Sequence, residues 1–210
     1  MRLPFFLLSL LLVTFCLSAF GGCSLRGKPP TTRLYVLTSL PQSERATSPG
    51  LASSDTIGIG PVTLPQYTNR SQIVTGATNP ELNRAPFEQW AEPLEANFTR
   101  VLADNLSLLL ATDQVMTFPW QGPVSPAYQV IIDVTQFLGE PGKQASLEAR
   151  WSVIGKNGKE VLVRKKSSFS EPLETPDYQA LAAGLSRTVA QLSRDVAATI
   201  TVLRQKEGHP

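Results

Sequence analysis

Residues 128–170 constrain the fold of this chain more tightly than any other stretch. In "AYQVIIDVTQFLGE", Tyr128, Val130, Ile132, Val134 and Gln136 fall on one face and Ile131, Asp133 and Thr135 on the other. That period of two belongs to a strand and not to a helix. "QASLEARWSVIG" alternates in the same way and places Leu147, Ala149, Trp151 and Val153 together. Asn157-Gly158 within "KNGK" is the strongest short hairpin signal in the chain, and "EVLVRKKSSFS" reads as the returning strand. Three long strands in an antiparallel meander expose one apolar face, which other elements must cover.

Two helical patterns can provide that cover. The first opens at Pro93, placed as a first-turn proline, with Glu92 and Glu95 complementing the positive end of the helix dipole. Leu94, Phe98, Val101, Leu102 and Leu109 follow at helical spacing. Leu106, Leu108 and Leu110 widen the apolar arc, so this helix is expected to be covered on more than one side. The second is expected to start with Thr175 as N-cap and Pro176 as first helical residue. Its stripe is Tyr178, Leu181, Leu185, Val189, Leu192, Val196, Ile200 and Leu203, opposite a polar face with Gln179, Arg187, Gln191, Arg194 and Asp195. Such a helix lies on a sheet; a coiled-coil partner is the alternative use of the stripe.

Shorter strands are predicted at "RLYVLT" (33–38), "TIGIGPVTLP" (56–65), "RSQIVTG" (70–76) and, as a short edge strand, "VMTFPW" (115–120). Pro61 and Pro65 are expected to end the second of these and to confine its end to an edge or a bulge. "NPELNRAPFEQWAEP" is read as the crossing to the first helix. The expected fold class is α/β (α+β): a mixed, largely antiparallel sheet with two long helices packed on it, in a single-domain sandwich. No internal repeat is evident.

Ahead of this domain lie Arg2 and then "LPFFLLSLLLVTFCLSAF", an apolar run without charge, ending in Gly21-Gly22-Cys23. A basic n-region, an apolar h-region and small residues form a secretory signal. An ordinary signal-peptidase cut before Cys23 would put bulky Phe20 three residues upstream. The arrangement instead resembles a lipobox, with Phe20 in the place of the usual leucine. The expected organisation is a lipoprotein signal peptide over 1–22, a lipidated tether over 23–32, the folded domain over 33–204 and a frayed tail over 205–210. An uncleaved N-terminal anchor is the alternative, since the run is near the length that spans a bilayer. A diacylglycerol thioether on Cys23 together with an N-acyl chain such as palmitate would hold the protein stably on a membrane without spanning it. Ser24 stands where aspartate would resemble an inner-membrane retention signal, which favours the outer membrane. Pro29-Pro30 suits an extended tether.

Composition removes most catalytic readings. The 19 Lys+Arg nearly balance 17 Asp+Glu, so there is no electrostatic footprint for nucleic acid. The one histidine is His209, beside the C-terminal residue, which disfavours Ser-His-Asp, Cys-His and His-based zinc sites. Of the two cysteines, Cys16 leaves with the signal and Cys23 takes lipid, so no disulfide and no thiol nucleophile remain. Glu92, Glu95, Asp104 and Asp133 are expected to be solvated or capping groups. "GIGPV" (58–62) lacks the lysine and helix of a phosphate loop. No catalytic residue, metal site or cofactor is therefore expected, and the chain is read as a non-enzyme.

Several stretches carry a family resemblance. "RLYVL" after the lipid-attachment cysteine, "IGIGPVTLPQYTNRSQIV" (57–74), "FEQWAEPLEANFTRVLADNL" (87–106) and "YQALAAGLSRTVAQLSRDVAATI" (178–200) resemble the ABC-type transport auxiliary lipoproteins, and within them the PqiC-like (YmbA) lipoproteins. The likeness spans nearly the whole mature chain, with Thr68 replacing a frequent leucine. It implies a non-enzymatic periplasmic component of intermembrane lipid transport. The implied partners are an MCE-domain (PqiB-like) protein with its membrane complex, and the outer membrane through the lipid anchor. A homo-oligomeric ring matching the symmetry of an MCE tube agrees with the same resemblance. A lipoprotein that assembles or stabilises another envelope machine, such as an export channel or secretin, is the alternative function.

Within the resembling motif, Tyr67, Asn69, Arg70 and Gln72 are candidate partner-binding residues, because polar groups of interface character interrupt strand-like sequence there. The competing reading pairs Arg70 with Glu92 or another carboxylate and uses Tyr67 to cap the core. Trp90 is read as a packing residue, with an exposed anchor as its alternative. Trp120, beside Phe118-Pro119, is a candidate exposed contact or else a lid over the core. The sequons at Asn97 and Asn105 fall inside the predicted helix and are read as chance matches.

Overall fold

The computed structural model describes residues 30–46, 55–76, 81–120, 125–156 and 158–207. Cys23, the signal run, most of the tether, Asn157 and His209 lie outside the described residues. In chain order the strands are β1 (Arg33–Tyr35), β2 (Ile57–Thr63), β3 (Gln72–Thr75), β4 (Asn83–Trp90), β5 (Val115–Thr117), β6 (Tyr128–Glu140), β7 (Gln144–Gly155) and β8 (Val161–Pro172). Helix α1 (Leu94–Leu109) lies between β4 and β5, and α2 (Tyr178–Glu207) follows β8.

The alternating stretch folds into the expected meander. Strands β6, β7 and β8 pair antiparallel over nearly their whole lengths, for instance Ile132 with Trp151 and Trp151 with Lys165. At the β7–β8 turn, Gly158 takes a left-handed φ of 66° and donates its N–H to Gly155 O at 2.8 Å. The inward face follows the predicted phase through Val134 and then departs from it. A register shift between Val134 and Gln136 turns Phe137 into the core in place of Gln136. This is a β-bulge, whose extra residue flips the phase of every side chain beyond it.

Two sheets form where one was expected. The five-stranded sheet has the order β5-β2-β6-β7-β8, with β2 parallel to both β5 and β6. Pro61 does not end β2. The strand continues to Thr63 across a register shift between Ile59 and Val62, so the predicted bulge is present, but in an interior strand. The second sheet has the order β1-β4-β3, with β1 parallel and β3 antiparallel to β4. Strand β4 occupies the stretch read as a crossing. Its buried positions, Ala85, Glu88 and Trp90, are not evenly spaced because the β3–β4 register shifts there, and one of them is charged. Strand β1 is shorter than predicted, ending at Tyr35.

Both helices lie against the five-stranded sheet and against each other. The core joins Val130, Ile132, Val134 and Phe137 of β6 and Leu147, Ala149, Trp151 and Val153 of β7 to the predicted stripes of α1 and α2. Phe98 meets Phe137 edge-on, with ring centroids 5.4 Å apart. Helix α1 begins one residue later than expected: Pro93 is its N-cap, and its carbonyl accepts from Asn97 N–H at 3.0 Å. Helix α2 is capped by Asp177 rather than Thr175. Asp177 Oδ1 accepts from Ala180 N–H at 2.7 Å, while Thr175 donates its hydroxyl proton to Asp177 Oδ2. Ser186, Thr188, Ser193 and Thr199 of α2 are also buried, so this helix is covered over a wider arc than its apolar stripe. Their hydroxyls donate to carbonyls of the preceding turn and so enter the core satisfied. The stripe serves the sheet and a partner helix together.

Candidate functional site

The segment after β1 has no strand neighbour, and side chains of the helices hold it instead. Leu37 N–H donates to Asn97 Oδ1 at 2.6 Å, and Leu40 N–H to Asn105 Oδ1 at 2.7 Å. Thr38 N–H donates to Ser186 Oγ at 3.1 Å, and Asn105 Nδ2 donates onward to Ser193 Oγ at 3.0 Å. Asn97 and Asn105 are 1% and 0% exposed, so both sequon asparagines are interior binding groups for backbone. Eight residues apart on one helix, they stand on one face and grip one extended strand of chain. Sequence reading missed this role; two asparagines inside an apolar helical arc were the available signal.

The connection from β2 to β3 faces the start of α1 across a cleft of about 620 Å³. A 3-10 turn at Gln66–Thr68 shapes the connection, with Thr68 Oγ1 donating to Pro65 O at 2.8 Å. Asn69, Arg70 and Gln66 line one wall, and Glu92, Pro93 and Glu95 the other. Trp90, only 6% exposed, also lines the cleft and is a packing residue.

The candidate residues do not act together. Asn69 and Arg70 are exposed on the cleft, and Arg70 has no ion-pair partner among the described residues. Glu92 is taken by Arg100 at 2.5 Å, which removes the predicted Arg70–Glu92 pair. Tyr67 turns away from the cleft. Its hydroxyl accepts Phe137 N–H at 2.9 Å, serving the edge of β6 just past the last β2 partner, and burial raises its pKa. Gln72 lies half-buried in β3, in register with Gln89 of β4. Trp120 sits elsewhere, at a smaller cavity of about 190 Å³ with Ser125, Pro126 and Gln129. Its ring fills the space a Cβ on Gly58 would occupy, so it is a half-buried lid over β2, while Phe118, edge-on to it at 5.5 Å, projects into solvent. The cleft therefore keeps only Asn69 and Arg70 of the five candidates.

One charged cluster lies beneath β1. Glu88, buried on β4, accepts from Arg33 Nε at 3.0 and 3.1 Å, from Arg33 Nη2, and from Tyr35 OH at 2.7 Å. The Arg33 guanidinium holds the Glu88 carboxyl below the usual carboxylate range, against the effect of burial, and Tyr35 adds to the lowering. Burial and the hydrogen bond to Glu88 push the Tyr35 phenol up to about 12. These groups bind one another and fasten β1 to β4. Asp133 accepts from Thr63 Oγ1 at 3.0 Å, and Asp104 from Ser39 Oγ at 3.1 Å. Among the described residues no group of three or more His, Cys, Asp or Glu could hold a metal ion, and no helix is long and apolar enough to cross a membrane.

Comparison with known proteins follows the same architecture. No curated protein matches the chain. An uncharacterized protein of known structure is 19% identical, with a TM-score of 0.65 over 81% of this chain and 99% of that one. A Xanthomonas campestris protein of the DUF330 family is 15% identical, with a TM-score of 0.68 over 85% of this chain and 100% of that one. At such identities the likeness shows a shared fold. The model of one protein family matches residues 35–197, from the end of β1 far into α2, and by that match the chain belongs to the family described as the ABC-type transport auxiliary lipoprotein component.

Proposed function

We propose that this lipoprotein is anchored through Cys23 to the periplasmic face of the bacterial outer membrane. There it acts as a non-enzymatic docking subunit of an MCE-type, PqiB-like intermembrane lipid transport system. As an auxiliary component it has a partner in a transport system. The observation that favours docking is the 64–71 connection, which presents Asn69 and an Arg70 with no ion-pair partner among the described residues at the cleft, within the motif that carries the family resemblance. An exposed arginine side chain can give its hydrogen bonds to a partner. The MCE partner, the outer-membrane location and the absence of catalysis rest on the resemblance and on the lack of a catalytic constellation in the sequence.

The test is affinity purification from mildly solubilised membranes, with partners read by mass spectrometry for the wild type, Cys23→Ala and Arg70→Glu. An MCE-domain protein recovered with the wild type, and lost or reduced with both variants, is the expected result. Recovery of secretin or export-channel components without any MCE protein would overturn the transport reading in favour of an assembly factor for another envelope machine.

A further inference from the structure

Seven large apolar side chains are exposed among the described residues, and three of them, Leu34, Val36 and Phe87, cluster around β1. Arg33 and Tyr35 both reach Glu88, so they share the side of β1 on which buried Glu88 lies. Strand alternation then turns Leu34 and Val36 outward, where they are 64% and 43% exposed. Leu34 is in register with Gln89 and Arg33 with Glu88, and Phe87, one residue before Glu88 on β4, is itself 42% exposed beside this pair. The apolar group thus stands at the end of the sheet where the chain arrives from Cys23.

Ten residue steps separate Cys23 from Arg33, a reach of no more than about 35 Å when fully extended. A lipid on Cys23 holds this end of the domain within that distance of a bilayer. Between residues 24 and 32 the chain carries Arg26 and Lys28 and no acidic residue. Such a basic stretch is attracted to anionic headgroups, and exposed leucine, valine and phenylalanine beside it suit the boundary between headgroups and acyl chains. We propose that the outer face of the β1–β4 pair seats on the membrane that holds the anchor, with Leu34, Val36 and Phe87 at the headgroup boundary. The inference rests on lipidation of Cys23 and does not depend on which transport system the protein serves. It gives the domain a fixed orientation on the membrane, which a lipid on Cys23 does not by itself impose.

The mature chain has no cysteine besides Cys23, so L34C, F87C and V202C each introduce a unique thiol for an environment-sensitive fluorophore. Val202 is the control. It is exposed on α2, sixteen residues and therefore about 24 Å along the helix from Ser186, which touches Thr38. The lipidated proteins are placed on phosphatidylethanolamine–phosphatidylglycerol vesicles containing brominated acyl chains, and intact mass verifies the lipid. Labels at 34 and 87 are expected to emit to the blue and to be quenched roughly twofold or more beyond the label at 202. Equal quenching at all three positions on a verified lipoprotein would overturn this inference alone. A blue shift at 34 and 87 that grows with protein concentration in vesicle-free Cys23→Ala protein would assign the face to a second copy and likewise overturn it. A chain without lipid on Cys23 would overturn the anchor and this inference together.

Discussion

Single side chains carry much of what is distinctive in this molecule. Asn97→Ala removes the acceptor for the buried Leu37 N–H and is expected to destabilise the fold by about 1–3 kcal/mol, measured by denaturant titration. Asn97→Asp should not restore that loss, since it buries a carboxylate and gives up the Nδ2 donation to Leu37 O. Tyr67→Phe leaves Phe137 N–H without its hydroxyl partner and should cost about 1 kcal/mol, while leaving partner recovery unchanged if Tyr67 is structural. Glu88 gives stability a dependence on acid. Its folded-state pKa lies below its ordinary value, so its contribution is present at neutral pH and is lost as pH falls through the folded value. Tyr35 acts at the other extreme: its contribution is full below about 10 and is lost as pH rises toward about 12. Glu88→Gln is expected to flatten the acid slope of stability, followed by urea midpoints across pH. The inward-facing Glu88 was not legible in the sequence, because its partners, Arg33 and Tyr35, lie more than fifty residues away.

At the scale of elements, the sequence was readable where period and length agreed. Strands β6 to β8 and both helices appear where the alternation, the Asn157-Gly158 pair and the helical stripes placed them. The failures share one physical cause: local pattern does not report an irregularity in pairing. The bulge at Val134/Gln136 changed which residues of β6 face inward, and the shift between Gln72 and Val74 hid β4. Pro61 likewise lies in an interior strand because the shift after Ile59 accommodates a residue without an N–H. Cap positions moved by one or two residues, since Asp177 outcompetes Thr175 for the first-turn amides of α2. Close approach of elements yields a further prediction. A Cβ on Gly139 would stand 2.6 Å from Gln144 O and 2.9 Å from Ala145 Cα. Because backbone must move to admit it, Gly139→Ala should lower stability by about 1–3 kcal/mol in thermal or chemical unfolding.

Across the whole molecule, the site was only partly legible. The motif around Asn69 and Arg70 does open onto a cleft, but Tyr67 is spent on β6 and Trp120 belongs to a separate place. Which polar residue of a motif faces outward depends on the turn that carries it, and one sequence does not specify that turn. The segment from Leu37 to Leu40 has a mechanical consequence for a protein tied to a membrane by its N-terminus. Tension on the tether first reaches β1, which joins β4 through three residue pairs and the contacts of Arg33 and Tyr35 with Glu88. Behind it, the backbone is gripped by Asn97, Ser186 and Asn105, which belong to the two helices over the main sheet. Force is thereby handed from a short edge strand to the most deeply packed layer of the domain. A pull on the N-terminal end of the domain is thus carried by the helices and not by the cleft at Arg70.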